Sequence, residues 1–191
     1  MDKLNLLIVG VGGQGTLLAS RILGTVALKS DFDVKVSEVH GMSQRGGSVV
    51  TYVKFGQKIY SPLVEKGEAD LIISFEKLEA LRWIDYLSED GKMIINEQRI
   101  DPMPVITGKA NYPENIIETL GKEHRIYSLD ALRIAQECGN IKAVNIVLLG
   151  VMAKLTGLDK KIFVDAIHEV VPAKVLDVNL NAFEQGYNYH K

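Results

Sequence analysis

The stretch from Leu4 to Gly15, LNLLIVGVGGQG, constrains the fold of this chain more than any other. Leu6 to Val9 form a short, continuous apolar run, which is typical of a strand covered on both faces in a parallel sheet. The glycines of the second half satisfy G-x-G-x-x-G, and a helix-forming segment follows from Thr16 to Leu28. Strand, glycine turn and helix in this order predict the start of a Rossmann-like α/β domain.

The glycine turn has two interpretations. Because glycine has no side chain, a ligand can approach the backbone closely there. The amides at the start of the following helix favour an anionic group such as phosphate. Gly12, Gly13, Gln14 and Gly15 are therefore candidate phosphate-binding residues. The same spacing also occurs in a close strand-to-helix turn that binds no ligand.

Length and composition exclude several classes of protein. A chain of 191 residues fits one domain over residues 1–191. A net charge of -2 without a basic run argues against nucleic-acid binding. No apolar stretch has membrane-spanning length, and the first strand leaves no room for a signal peptide, so a soluble cytoplasmic protein is expected. Cys138 is the only cysteine, which excludes an internal disulfide, a cysteine-ligated iron–sulfur cluster and a multi-cysteine zinc site.

The next segments predict more of the sheet. Val34 to Val39 read as a second strand, which forms a βαβ unit with the first through a right-handed crossover. Glu38, near the end of this strand, is expected either to bind ribose hydroxyls or to be an acidic residue that faces solvent or pairs with Arg45. Two β-rich runs, Val49 to Phe55 and Ile59 to Leu63, predict a hairpin. A plain dinucleotide-binding fold would have a helix at that place.

The rest of the chain completes an α/β pattern that ends in helices. Further strands are predicted at Leu71–Phe75, Lys92–Asn96 and Arg125–Ser128, and helices at Glu76–Leu87, Pro113–Leu120, Asp130–Cys138 and from Ile141 onward. The expected fold class is α/β, with a Rossmann-like, mostly parallel sheet flanked by helices, an inserted β-hairpin and a helical C-terminus. Gly150, inside an apolar helix, is expected to admit another helix closely. No acid–base pair is evident, so no catalytic residue and no metal ligand is assigned.

The segment from His40 to Gly47, HGMSQRGG, is the second candidate site. The side chains of Ser43, Gln44 and Arg45 can form hydrogen bonds to a ligand. The guanidinium of Arg45 suits a carboxylate or phosphate. The two glycines that follow leave the backbone amides uncovered. The segment leaves the carboxyl end of the second strand beside the glycine turn, where open α/β sheets bind ligands. The alternatives are a polar turn that needs unusual dihedral angles, and a structural role for His40.

The two glycine-bearing segments together carry a family resemblance. The pairing of GVGGQG (Gly10 to Gly15) with EVHGMSQRGGSV (Glu38 to Val49) resembles the gamma-type domain of 2-oxoacid:acceptor oxidoreductases. YSPLV from Tyr60, ADLIISFEKLEA from Ala69 and DGKMIIN from Asp90 extend the match over nearly the whole chain. A free-standing subunit of this length is most similar to the beta subunit of indolepyruvate ferredoxin oxidoreductases. The gamma subunit of a pyruvate or 2-oxoglutarate enzyme is the nearest alternative.

The resemblance implies a role within a complex. Such enzymes oxidatively decarboxylate a 2-oxoacid, transfer the acyl group to coenzyme A and reduce ferredoxin. With one cysteine and no GDG…N motif here, thiamine diphosphate, magnesium and iron–sulfur clusters are expected only in a larger partner subunit. This chain would complete the assembly and help bind coenzyme A. The phosphate contacts would come from Gly12, Gly13, Gln14 and Gly15, the polar clamp from Ser43, Gln44 and Arg45, and the close approach from Gly46 and Gly47. The alternatives are partner docking by the second segment, a standalone NAD(P)-dependent oxidoreductase, and a purely structural subunit.

Overall fold

The computed structural model describes residues 3–40 and 47–189. Its strands are β1 (Lys3–Val11), β2 (Asp33–His40), β3 (Ser48–Gly56), β4 (Ala69–Ser74), β5 (Leu87–Asn96) and β6 (Arg125–Leu129). Its helices are α1 (Thr16–Lys29), α2 (Lys77–Trp83), α3 (Met103–Ile106), α4 (Ile116–Leu120), α5 (Ala131–Glu137), α6 (Val144–Thr156), α7 (Lys160–Val170) and α8 (Leu176–Tyr187). Single 3-10 turns occur at Ile84–Tyr86, Ile141–Ala143 and Ala173–Val175.

The six strands form one sheet in the order β2-β3-β1-β4-β5-β6. Strands β1, β4, β5 and β6 are parallel neighbours, whereas β3 is antiparallel to both β1 and β2. Five strands therefore share one direction, and β3 alone runs against them. The predicted fold class, a mostly parallel sheet flanked by helices with a helical C-terminus, is confirmed.

The predicted hairpin is wrong in its strands. Strand β1, helix α1 and strand β2 follow one another with the two strands parallel, and β3 lies between those strands, pairing through Gly56 with both Lys3 and Asp33. The hairpin is formed by β2 and β3, and residues 59–63 form no strand. Since both edges of β3 are already paired, the 59–63 segment has no free edge to join. It crosses the surface instead, with the Ile59 amide donating to Asp33 Oδ2 at 2.9 Å.

The continuous apolar run of β1 contributes buried side chains to both faces of the sheet. Leu6 and Ile8 lie in a core with α1 and the C-terminal helices, while Leu7 and Val9 lie in a second core under α2 and α4. All four side chains are fully buried, as expected of a strand covered on both faces. No helix in the described part of the chain is long and apolar enough to cross a membrane.

Helices α6 and α8 approach each other through glycine. A Cβ at Gly150 would lie 2.3 Å from the Phe183 carbonyl oxygen, and one at Gly186 would lie 2.0 Å from the Val147 carbonyl oxygen. The prediction that Gly150 admits a second helix is confirmed.

Candidate functional site

The two glycine-bearing segments meet at one edge of the sheet. Strands β1 and β2 run in the same direction, so the turn after Val11 and the segment after His40 leave the same edge. The Gly12 amide donates a hydrogen bond to the Gly47 carbonyl oxygen at 2.9 Å. The predicted neighbourhood of the two loops is thus present. The three residues of the predicted clamp, Ser43, Gln44 and Arg45, and the neighbouring Gly46 lie outside the described residues.

Two amides of the glycine turn form hydrogen bonds to other described residues, and two do not. The Gly12 amide is held by Gly47, and the Gln14 amide donates to the Val11 carbonyl oxygen at 3.2 Å. No acceptor among residues 3–40 and 47–189 is bonded to the amides of Gly13 or Gly15. Gly13 has φ 99° and Gly15 has φ 86°, in the left-handed region that favours glycine. Within the described residues, two amides at the start of α1 are thus without a protein acceptor, and amides in this position are the groups that bind anions at helix N-termini.

The side chain of Gln14 occupies the crevice between β1 and β4. Its Oε1 accepts from the Val11 amide at 2.7 Å, and its Nε2 donates to the Phe75 carbonyl oxygen at 3.0 Å. A Cβ at Gly10 would lie 2.9 Å from the same Oε1, so glycine is needed there to admit it. Ligands of open α/β sheets bind in such a crevice at the switch point of strand order. In this protein the side-chain carboxamide of Gln14 occupies that position.

Open depressions lie on both sides of the glycine turn. The first, of 480 Å³, is lined by Gly12, Gly13, Gly15, Thr16, Leu17, Glu38, His40 and Val49. The second, of 490 Å³, is lined by Gly13, Gln14, Gly15, Leu18, Gln98, Leu132, Ile141, Lys142, Val144 and Asn145. The first lies beside the segment that carries the predicted clamp. A ligand there can reach both glycine-bearing segments.

Glu38 lines the first depression but is engaged by its own neighbours. Thr51 Oγ1 donates to one carboxylate oxygen at 2.9 Å, and His40 Nε2 lies 2.5 Å from the other. The Glu38 side chain is only 14% exposed, whereas that of His40 is half exposed. These contacts favour the structural interpretation of His40. The predicted alternative of a Glu38–Arg45 pair lies outside the described residues.

Two buried carboxylates behind the site were not singled out from the sequence. Glu76, the residue directly before α2, and Glu79, in its first turn, are each 1% exposed. Glu76 caps the helix by accepting from the Glu79 amide at 3.0 Å and also accepts from the Tyr112 hydroxyl at 2.5 Å. Burial, reinforced by this carboxylate, raises the pKa of Tyr112 above its ordinary range. The sequence signal is a glutamate directly after a buried strand with a second one three residues later, FEKLE.

Glu79 reaches the second glycine-bearing segment. One of its carboxylate oxygens accepts from Ser48 Oγ at 2.5 Å, and the other accepts from Arg82 Nη1 at 2.5 Å. Ser48 is the first residue of β3 and directly follows Gly47. The carboxylate thus ties the end of the loop to α2.

The described residues hold no group of three or more histidine, cysteine, aspartate or glutamate side chains that could bind a metal ion. Burial raises the pKa of the Cys138 thiol, which disfavours the thiolate form that ligates metals.

Known proteins resemble this chain over almost its full length. A family model described as pyruvate ferredoxin/flavodoxin oxidoreductase matches residues 5–189. The indolepyruvate oxidoreductase subunits IorB of Thermococcus kodakarensis and Pyrococcus horikoshii are each 43% identical to this chain, covering 97% of it and 95% of their own length.

Solved structures share the fold at lower identity. The pyruvate oxidoreductase subunit PORC of Thermotoga maritima superposes with a TM-score of 0.74 at 22% identity, over 100% of this chain and 98% of its own. The 2-oxoglutarate:ferredoxin oxidoreductase of Magnetococcus marinus, solved with 2-oxoglutarate, coenzyme A and succinyl-CoA bound, has a TM-score of 0.77 at 17% identity. That match covers 98% of this chain but 31% of the other.

Proposed function

Because the chain belongs to the pyruvate ferredoxin/flavodoxin oxidoreductase family, we propose that it is the beta-type subunit of an indolepyruvate ferredoxin oxidoreductase. The observation that carries the proposal is its 43% identity to IorB subunits along nearly the whole of both chains. The assembled enzyme oxidatively decarboxylates aryl 2-oxoacids to the acyl-CoA and reduces ferredoxin. This chain is one subunit of it and is not active alone.

The redox and decarboxylation cofactors belong to a larger partner subunit. A single cysteine cannot ligate an iron–sulfur cluster. The described residues also offer no group of three or more metal-ligating side chains that would hold the magnesium of thiamine diphosphate. Thiamine diphosphate supplies the electron sink for decarboxylation when bound to the partner. The role left to this chain is to complete the complex and to help bind coenzyme A.

Co-purification tests the identity of the enzyme. The chain, tagged in its native source, is expected to bring down one larger polypeptide that contains thiamine diphosphate and iron–sulfur clusters. That complex should reduce ferredoxin with indolepyruvate much faster than with pyruvate or 2-oxoglutarate. Faster reduction with either of those two substrates would assign the chain to a pyruvate or 2-oxoglutarate enzyme instead.

The residues at the carboxyl edge fit the phosphates of coenzyme A. The amides of Gly13 and Gly15 lack internal acceptors in the described part of the chain, and the hydrogen bond from Gly12 to Gly47 joins the two segments. In this proposal Gly12 and Gln14 shape the turn while its outward amides bind phosphate. Ser43, Gln44 and Arg45 act as the polar clamp, and Gly46 and Gly47 let the ligand approach.

Substitution of Arg45 in the complex tests the clamp. Loss of a charge-assisted contact to phosphate costs about 1.5–3 kcal/mol, so Arg45→Ala should raise the KM for coenzyme A by about tenfold or more. Arg125→Ala is the matched control, because Arg125 is an exposed arginine at the start of β6, on the opposite edge of the sheet. An unchanged KM in an intact complex would reject the clamp. Weaker binding of the partner subunit would assign the segment to docking.

The G-x-G-x-x-G pattern also favours a second candidate, a standalone NAD(P)-dependent oxidoreductase. The position of Gln14 opposes it, because its side chain bridges Val11 and Phe75 in the crevice where such a cofactor would bind. Titration of the purified chain with NADH should therefore show no stoichiometric binding, and tight binding would revive this candidate.

A further inference from the structure

The two glycine-bearing segments are connected to α2 through one buried carboxylate. Ser48 Oγ donates to Glu79 at 2.5 Å, and the preceding residue, Gly47, accepts from the Gly12 amide at 2.9 Å. The end of the second segment is therefore held at two points. The Glu79 side chain of α2 bonds to Ser48, and the backbone of the glycine turn bonds to Gly47. Its entrance is held separately, by the pairing of β2 with β3 up to His40 and Val49.

The energetics make the Glu79 contact a strong constraint. Its side chain is 2% exposed, and its charge is balanced by Arg82, which is 43% exposed and bonds at 2.5 Å. When a buried carboxylate loses a hydrogen-bond donor, one oxygen is left desolvated and unpaired, which destabilises the folded state. The Ser48 hydroxyl is thus confined to the position that satisfies this oxygen. Because Ser48 directly follows Gly47, the backbone next to the glycine turn is confined with it.

We propose that Glu79 is a positioning residue of the coenzyme A site, which holds Gly47 against the glycine turn through Ser48. This inference rests on the proposed binding of coenzyme A at those segments. Glu79 lies on α2 and is buried, so it acts on the site through Ser48 and not by contact with the ligand. Through Ser48 it fixes the position of Gly47 against the glycine turn. A turn that is already held in place has a lower ordering cost when its amides bind a phosphate.

The chain supplies a matched control in its other buried carboxylate. Glu76 lies one turn earlier and is buried to the same extent, and it accepts a hydroxyl hydrogen bond of the same length, 2.5 Å, from Tyr112. Tyr112 belongs to the segment before α4, not to either glycine-bearing segment. Ser48→Ala and Tyr112→Phe therefore each remove one hydroxyl from one buried carboxylate. Tyr112→Phe also removes the acceptor of the Leu78 amide at 3.1 Å, so its cost in stability should be at least as large. Only Ser48 adjoins a glycine-bearing segment.

The experiment measures the assembled complex in two ways. The first is the dependence of 2-oxoacid-driven ferredoxin reduction on coenzyme A concentration, and the second is amide hydrogen exchange in a peptide that contains Gly12. Ser48→Ala and Glu79→Gln should raise the KM for coenzyme A about fivefold with little change in kcat at saturation, and should speed exchange in that peptide. Ser48→Thr, which keeps the hydroxyl, should restore both values. Adding Ser48→Ala to Glu79→Gln should have little further effect, because the two residues act through one contact.

The control and the Arg45 variant separate the possible failures. Tyr112→Phe should leave both the KM and the exchange of the Gly12 peptide unchanged, and an equal effect from it would show a general loss of stability and overturn the proposal. If Arg45→Ala raises the KM and Ser48→Ala does not, the positioning role is overturned while the coenzyme A site stands. If neither Arg45→Ala nor Ser48→Ala raises the KM, the proposed coenzyme A site is rejected, and the role of Glu79 in that site is rejected with it.

Discussion

Glycines bring two parts of this molecule together for opposite reasons. In the turn after β1, Gly13 has φ 99° and a Cβ placed on it would meet nothing within 4 Å. Between α6 and α8, Gly150 and Gly186 lie within helices, and a Cβ on either would lie 2.3 Å or less from a carbonyl oxygen of the other helix. The first glycine is required for its backbone angles, and the other two for the absence of a side chain.

The difference separates a site from a structural contact. At the glycine turn the backbone is exposed beside an open depression, and the amides of Gly13 and Gly15 have no acceptor among the described residues. At the helix contact the backbone is covered by another backbone, and nothing else can enter. A glycine motif therefore indicates a binding site only when the space in front of it is free, which the sequence pattern does not report.

The largest expected effect is at the helix contact. A Cβ at Gly186 would lie 2.0 Å from the Val147 carbonyl oxygen, and backbone cannot move aside as a side chain can. Gly186→Ala should therefore lower the free energy of unfolding by about 3 kcal/mol or more. Urea denaturation of the purified chain measures it.

The control for this prediction is a helical glycine with free space. Gly24 lies in α1 and a Cβ there would meet nothing within 4 Å. Gly24→Ala should be neutral or stabilise by about 0.5–1 kcal/mol, because alanine is the better helix former. Equal stabilities of the two variants would remove the distinction between close contact and open space.

A smaller effect on stability, with a larger one on binding, is expected at the glycine turn. Gly13→Ala must adopt positive φ but meets no neighbour, so it should cost about 1–2 kcal/mol of stability. Gly67→Ala is its control, since Gly67 has φ 78°, has open space and lies before β4 at the other edge of the sheet.

The two glycine variants should lose similar stability, but only Gly13→Ala should raise the KM of the complex for coenzyme A. Stability is measured by thermal unfolding, and the KM by coupled ferredoxin reduction. A raised KM in both variants would mean that backbone strain, and not the location of Gly13, affects the site.

Much of this fold could be predicted because its strongest signals are local. The apolar run of β1, the glycine turn and the start of α1 at Thr16 depend on neighbouring residues, and all three are present. The pairing of β3 could not be predicted in the same way. Strand order depends on contacts between distant segments. The run at 59–63 has strand-like composition, but both edges of its expected partner, β3, are already paired.

The same distinction between local signals and contacts of distant segments applies to the candidate site. The neighbourhood of Gly12 and Gly47 followed from the rule that parallel strands end at one edge, and the 2.9 Å hydrogen bond between them agrees with it. The role of Gln14 did not follow from spacing, because its partner Phe75 is distant in sequence. Glu79 was missed for a similar reason, since exposed charge is the ordinary expectation for a helix residue and its burial depends on Ser48 and Arg82.

The smallest expected effect lies at the surface of the helical end. Lys160 on α7 contacts Glu184 on α8, with Nζ 2.7 and 2.8 Å from its two carboxylate oxygens. The hydrogen bond from Lys160, followed by one from Asn188, lowers the pKa of Glu184 below its usual 4.5. A carboxyl group whose pKa is lower in the folded state stabilises the protein above the unfolded pKa, and this contribution is lost as the pH falls through the folded pKa.

Because the Glu184 side chain is 45% exposed, solvent weakens the contact. Glu184→Gln should therefore cost only about 0.5 kcal/mol at neutral pH, and the cost should vanish in acid or in about 1 M salt. Urea denaturation of both proteins at pH 7, in acid and in high salt measures the difference. If the difference persisted in acid, packing and not charge would hold α7 against α8. The helical end would then depend on its backbone contacts and buried side chains alone, unlike the carboxyl edge, where buried carboxylates hold the loops.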